Sequence, residues 1–179
     1  MVYVLLGTGF EETEAIAPVD LLRRAGVDVM TVGLQGKTVC GSHRIAMEAD
    51  ITIDELDLTK LDMLVLPGGL GGVASIRGCD KAMDAIRFAH ENGKWLAAIC
   101  AAPTILAELG ILAGKTAVCY PGCEEGMENV TIASQAAVRD GNLITGTSAG
   151  CAVAFGLALI EALKGAAEAH RIAQQIVIR

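Results

Sequence analysis

Apolar residues along the chain form two kinds of pattern. Short apolar runs typical of buried strands occur at Val2–Leu6, Asp28–Val32, Met63–Leu66 and Trp95–Ile99. Between and after them, apolar residues recur at helical spacing, and helices are predicted from Glu11 to about Arg24, over Lys81–Asn92, from Pro103, over Ala152–Leu163 and over Ala166–Gln175. Strands and helices that alternate with short connections predict a mostly parallel sheet with right-handed crossovers.

The remaining segments are shorter and more polar. A small hairpin is predicted from Val39-Cys40 and Arg44–Met47, and surface strand or loop over Ile51–Leu58. The Gly-rich Pro67–Gly72 segment is predicted to be a flexible turn, with amides free to bind an anion. Further short strands are predicted at Lys115–Val118, Val130–Ala133, Ala136–Val138 and Asn142–Thr145, the last two joined by a turn at Gly141-Asn142.

Cys100 stands where a strand turns directly into a helix. Small residues surround it, and Pro103 suits the first turn of the following helix. This resembles a nucleophile elbow, where free N–H groups and the helix dipole would lower the thiol's pKa. The alternative is a buried cysteine that acts as a small hydrophobic residue. The residues alone leave both interpretations open.

Composition narrows the class of protein. The chain has 179 residues, 53% of them hydrophobic, and a net charge of −7. We expect one domain over residues 1–179, with no nucleic-acid partner, no membrane partner and a cytoplasmic location. The six cysteines are expected to stay reduced. Cys119 and Cys123 have no second ligand pair nearby, so no metal is expected.

Four sequence blocks in this order resemble the ThiJ/PfpI superfamily, in particular the branch of the Parkinson-disease-associated protein deglycase and its bacterial homologues. The blocks are Glu11-Glu12-Thr13-Glu14 through Gly26, Val65-Leu66-Pro67-Gly68-Gly69, Ala97 through Thr104, and Phe155–Leu163. The resemblance implies a flavodoxin-like three-layer sandwich, with helices on both faces of the sheet, and a homodimer.

The resemblance also implies roles for individual residues. Cys100 matches the family's reactive elbow cysteine, and Glu14 matches the buried glutamate that hydrogen-bonds it. Burial would keep Glu14 protonated, whereas Glu11 and Glu12 are explained by the preference of a helix start for acids. The backbone N–H groups of Gly69 and Ala101 match the oxyanion pocket.

Other positions are candidates for the pocket or depart from the family. Gly68 is a candidate for the pocket. Arg24 lies near the site in relatives, although it is equally well explained as a surface residue. Tyr120 occupies the position where active relatives often have histidine, and the shortened loop at Ser148 differs from the family's. The three histidines, His43, His90 and His170, are predicted to be loop or surface residues. No Cys–His dyad is therefore expected, which argues against a peptidase. Cys151, near this loop, is a candidate resolving cysteine.

Two functions from different classes remain open. In the first, Cys100 attacks reactive carbonyls such as methylglyoxal in a cofactor-free glyoxalase or deglycase reaction that uses Glu14. In the second, Cys100 senses oxidants by forming a sulfinate within a stress-response chaperone, with no turnover. A class I glutamine amidotransferase would need a later His-x-Glu pair, which is missing.

Overall fold

The computed structural model describes residues 1–178 and has a seven-stranded central sheet. Its strands are β1 (Val2–Leu6), β2 (Val29–Gly33), β5 (Ile51–Thr52), β6 (Met63–Leu66), β7 (Trp95–Ile99), β10 (Ala137–Asp140) and β11 (Leu143–Gly146). They lie in the order β10-β11-β7-β6-β1-β2-β5. Within this sheet only the β10–β11 pair is antiparallel. The predicted mostly parallel α/β sheet is confirmed.

Helices cover both faces of this sheet and bury two separate cores. Side chains of each strand alternate between them: Val4 of β1 packs in one core and Leu5 in the other. One core holds α1 (Glu12–Arg24), α5 (Ala152–Lys164) and α6 (Ala166–Gln175). The other holds α2 (Leu70–Arg77), α3 (Asp80–Glu91) and α4 (Pro103–Glu108). The predicted three layers are therefore present.

Two small sheets lie outside the central one. β3 (Thr38–Cys40) pairs antiparallel with β4 (Ala46–Glu48), which confirms the predicted hairpin. β8 (Thr116–Ala117) and β9 (Thr131–Ile132) form a separate parallel pair. In the segment predicted as surface strand or loop, β5 adds an edge strand to the central sheet, and two short 3₁₀ turns follow it. None of the helices in residues 1–178 is both long and apolar enough to cross a membrane.

The Gly-rich segment predicted as a turn is a strand-to-helix turn over residues 67–69, but helix α2 already begins at Leu70. Its first turn contains Gly71 and Gly72, which ordinarily disfavour a helix. Here the helix packs against the backbone of the β1–α1 loop: a Cβ on Gly72 would lie 2.6 Å from the Cα of Phe10. The glycines therefore allow close packing of helix on loop, and this packing supports the backbone near the end of β6.

Candidate active site

Cys100 occupies a strained elbow between β7 and α4. Its φ is +66°, a value that few residues other than glycine adopt. Its backbone N–H donates to the carbonyl of Gly146 at 2.9 Å, and its own carbonyl accepts from the N–H of Tyr120 at 2.8 Å. Both flanking peptide groups are thus held by neighbouring segments, which keeps the cysteine in this conformation.

Glu14 lies beneath the elbow and is completely buried. Its Oε2 accepts a hydrogen bond from the backbone N–H of Gly68 at 2.9 Å. Its Oε1 is the only buried side-chain nitrogen or oxygen within residues 1–178 that has no hydrogen-bond partner. Cys100 and Glu14 lie on either side of Gly68. A Cβ added to Gly68 would lie 2.4 Å from Glu14 Oε2 and 2.6 Å from the Cys100 Cβ.

Burial raises the pKa of Glu14 from 4.5 to about 7. The neighbouring Cys100 thiol and the hydrogen bond from the Gly68 amide lower this pKa, and the charge of Glu11 raises it further. The buried, proton-holding carboxyl expected from the resemblance therefore has a physical basis in this structure.

Glu14 should make the folding stability depend on pH. Because its pKa rises from 4.5 to about 7 on folding, the folded protein keeps a proton that the unfolded chain releases between these pH values. The stabilisation of the folded state by this proton is about 3 kcal/mol. It is fully present below pH 4.5 and is lost as the pH rises to about 7. Urea unfolding from pH 4 to 8 should show this decline relative to Glu14→Gln, where the group cannot ionise. Parallel pH profiles for the two proteins would contradict the assignment.

For Cys100 the sequence predicts a lowered thiol pKa, whereas its burial and the ionised form of Glu14 act in the opposite direction. Burial raises the pKa of Cys100 to about 12, and the charge of the neighbouring Glu14 carboxylate adds to the rise. The N–H groups of Gly69 and Ala101 act in the opposite direction. The contribution of the Glu14 charge exists only while Glu14 is ionised, so the two groups titrate as a coupled pair.

A cavity of about 690 Å³ opens in front of Cys100. Three of the predicted site residues line it together with Cys100, namely Gly69, Ala101 and Tyr120. The Tyr120 side chain is half exposed and so reaches both the cavity and solvent. The other lining residues are Glu11, Ser42, His43, Leu70, Gly71, Pro121, Gly122 and Cys123. The glycine turn after β6 and the Cys100 elbow therefore meet at one cavity, as the resemblance implies.

Five of the predicted residues do not line this cavity: Glu14 and Gly68 lie next to Cys100 behind it, whereas Arg24, Ser148 and Cys151 lie elsewhere. Arg24 lies on the last turn of α1, and its exposed guanidinium pairs with Asp20 at 2.7 Å, so its surface interpretation fits this chain. Ser148 precedes a short 3₁₀ turn, and its hydroxyl faces the Cys151 sulfur at 3.9 Å. Neither Ser148 nor Cys151 lines the cavity, whereas Cys123 does.

Two residues that the sequence did not single out belong to the surroundings of this site: His43 lines the cavity, and Glu12 lies behind His43. His43 is a loop residue, as predicted, but its loop lies at the cavity mouth. Glu12 is buried beneath that loop, and its side chain hydrogen-bonds the loop rather than only favouring the helix start. The sequence did contain a signal for His43. Gly41-Ser42-His43 lies in the turn of the predicted hairpin, and loops often carry functional side chains.

These features define a class: a flavodoxin-like α/β protein with a cysteine elbow set against a buried carboxyl. A family model described as the DJ-1/PfpI family matches residues 1–162. The chain belongs to this family, and the resemblance carried by the four sequence blocks is confirmed.

Several relatives are similar over almost their whole length. Protein dj-1beta of Drosophila melanogaster is 36% identical over 178 residues, which are 98% of this chain and 95% of the relative. Its crystal structure has a TM-score of 0.94 at 35% identity, covering 99% of this chain and 97% of that one. Deglycase PH1704 of Pyrococcus horikoshii is 32% identical over 146 residues, 80% of this chain and 87% of the relative. The structure titled oxidized DJ-1 of Toxoplasma gondii has a TM-score of 0.92 at 29% identity, covering 98% and 97%.

Proposed function

We propose that this protein is a stress-response enzyme that converts reactive carbonyl compounds through a covalent bond to Cys100, without a cofactor. The observation that carries the proposal is the coupled pair formed by Cys100, which lines the cavity, and the buried Glu14 beside it. The name of the Pyrococcus relative, a deglycase, supports the same substrate class.

The nucleophile arises from the first ionisation of this pair. Loss of one proton leaves one negative charge to share between the sulfur and the carboxylate. A negative charge on the sulfur is favoured by the nearby N–H groups of Gly69 and Ala101 and by the adjoining cavity. Glu14 is fully buried, and its carboxyl accepts from one N–H group, that of Gly68. These differences favour a thiolate beside a protonated Glu14 once the pair has ionised near pH 7.

The reaction with methylglyoxal then balances with water as the only co-reactant. The sulfur adds to the aldehyde carbon, and the carbonyl electron pair moves to oxygen, next to the amides of Gly69 and Ala101. Glu14 assists the transfer of the proton from this carbon to the neighbouring ketone carbon. The first oxygen then re-forms a C=O bond, and the former ketone oxygen takes a proton from water and becomes a hydroxyl, which leaves a lactoyl thioester on Cys100. The hydroxide left by this water hydrolyses the thioester, which releases lactate and the thiol.

A second function, oxidant sensing, is favoured by the unpartnered Glu14 Oε1. A protonated carboxyl there can donate a hydrogen bond to an oxygen added to the Cys100 sulfur. Two equivalents of peroxide would convert the thiol to a sulfinic acid and release water from each peroxide.

One experiment separates these two functions. Methylglyoxal is added to the protein with no other thiol and no metal, and lactate is measured while Cys100 alkylation by iodoacetamide is followed by peptide mass spectrometry. We expect lactate in the amount of methylglyoxal lost and protection of Cys100. A protein that shows neither effect would contradict the enzymatic proposal. Selective addition of two oxygen atoms to Cys100 by peroxide, with the other five cysteines unchanged, would then favour the sensor.

A further inference from the structure

The loop between β3 and β4 brings an imidazole to the cavity that Cys100 lines. His43 is in this loop and lines the cavity, although it is far from Cys100 in sequence. Tyr120 lines the same cavity, but a phenol is a poor base at neutral pH. His43 brings to this cavity an imidazole, a side chain that ordinarily exchanges protons near neutral pH.

Buried Glu12 holds this loop through an extended set of hydrogen bonds. Its side chain is only 6% exposed. Its oxygens accept from the His43 backbone N–H at 2.7 Å and from the Ser42 hydroxyl at 3.1 Å, and its Oε2 lies 2.9 Å from His43 Nδ1. A Cβ on Gly41 would lie 2.3 Å from Glu12 Oε1, so glycine lets the loop close over the carboxylate. His43 is thus held at a defined place.

The negative charge of Glu12 determines which nitrogen of the His43 ring remains free. Burial opposes ionisation of Glu12, but the His43 ring and the backbone N–H groups outweigh it and lower the pKa of Glu12 to about 2. A carboxylate accepts only, so Nδ1 carries a proton and donates to Glu12. The hydrogen bond to Glu12 and the charges of Glu12 and Glu11 raise the pKa of His43. Within residues 1–178, His43 Nε2 has no hydrogen-bond partner.

We propose that His43 is the acid–base residue of the Cys100 cavity and that Glu12 positions it. This inference rests on the proposed carbonyl chemistry. As the sulfur adds to the carbonyl carbon, Nε2–H gives its proton to the carbonyl oxygen, and the imidazole becomes neutral. It recovers a proton from the water that hydrolyses the thioester. A carboxylate that orients an imidazole beside a nucleophile is the arrangement of a catalytic triad, here assembled from α1, a hairpin loop and an elbow.

The same three side chains could also be considered a metal site, since one ligand atom each from Glu11, Glu12 and His43 lies within 4.8 Å of the others. Their hydrogen bonds argue for the acid–base role. Nδ1 is occupied by Glu12, and Glu11 caps α1 by accepting from the Glu14 N–H at 2.8 Å. The acid–base interpretation uses these contacts as they are, whereas an ion would have to replace them.

The test uses a variant that keeps the loop and removes only the second nitrogen. In His43→Asn the amide NH₂ replaces the Nδ1 donor to Glu12, and no group replaces Nε2. We expect turnover of methylglyoxal at neutral pH to fall about 10²-fold, the usual contribution of one acid–base group. Added imidazole should restore part of it, because the His43 side chain is 71% exposed and its site can admit the reagent. His90→Asn serves as the control and should retain full activity, because His90 lies on the exposed face of α3 and does not line the cavity.

Glu12 requires a readout that a purely structural role would not change. Glu12→Gln removes the charge that raises the pKa of His43. The titration of His43, followed by NMR, should therefore move to lower pH, and the pH profile of turnover should move with it. Unchanged profiles would show that Glu12 does not position His43 for catalysis.

The outcomes separate this inference from the proposed function. If wild type and Cys100→Ser are equally inactive, the proposed function fails, yet the pH profile of Cys100 alkylation still tests His43. An inflection that is present in wild type and absent in His43→Asn supports the assignment, and identical profiles overturn it. Wild-type turnover in His43→Asn also overturns it. So does activity that a chelator removes and Zn²⁺ restores, which would assign the cluster to a metal.

Discussion

Replacing Cys100 by serine is expected to lower turnover of methylglyoxal by about 10³-fold or more. A serine hydroxyl stays protonated at neutral pH, so the pair with Glu14 can no longer provide a sulfur anion. The substitution is conservative in size and keeps a side chain that tolerates the same φ of +66° no worse than cysteine does. The loss should therefore be chemical rather than structural, and the urea midpoint should stay near that of wild type.

Matched cysteine variants make this result specific. Cys79 and Cys151 do not line the Cys100 cavity, so Cys79→Ser and Cys151→Ser should retain wild-type turnover. Lactate formation is measured for all four proteins at equal concentration and at pH 8, above the first ionisation of the pair. Activity in Cys100→Ser above about a tenth of wild type would rule out sulfur as the nucleophile.

The central sheet and the elbow are predictable because local sequence carries them. The apolar run Trp95–Ile99 predicts the strand before Cys100, and Pro103 predicts the start of the helix after it. Only three residues remain for the turn, and Cys100 is the first of them. The resemblance then singles out Glu14 from three adjacent acids. Its burial is consistent with the helical spacing that places Ala15 and Leu22 in the same core.

The features that were missed depend on contacts between distant segments. Gly71 and Gly72 look like a flexible turn until the β1–α1 loop packs against them. His43 looks like an ordinary loop residue until Glu12 fixes the hairpin at the cavity. The pKa of Cys100 was predicted from the helix end alone, whereas burial is the largest influence on the sulfur, and the paired carboxyl comes next. Burial and pairing are tertiary properties that a local pattern does not carry.

Gly68→Ala is expected to damage the site directly, because the added Cβ would lie between its two reacting side chains. An added Cβ would lie 2.4 Å from Glu14 Oε2, 2.6 Å from the Cys100 Cβ and 2.9 Å from the Ile99 carbonyl oxygen. Cβ atoms essentially never approach other atoms so closely, so the two members of the catalytic pair would have to move apart. We expect a loss of about 3 kcal/mol in unfolding free energy. We also expect turnover to fall about 10²-fold, because displacement of a reacting group by about 1 Å has this effect.

Gly78→Ala is the control that separates this effect from a general loss of glycine. Gly78 ends α2 at φ −79°, and a Cβ there would meet nothing closer than the Ala74 carbonyl oxygen at 3.4 Å. This variant should keep both its stability and its turnover. Urea unfolding and lactate formation are measured on both variants, with alkylation of Cys100 as a third readout. If Gly68→Ala matched wild type in all three, Glu14 and Cys100 could separate without loss, and the coupled pair would not be the basis of the activity.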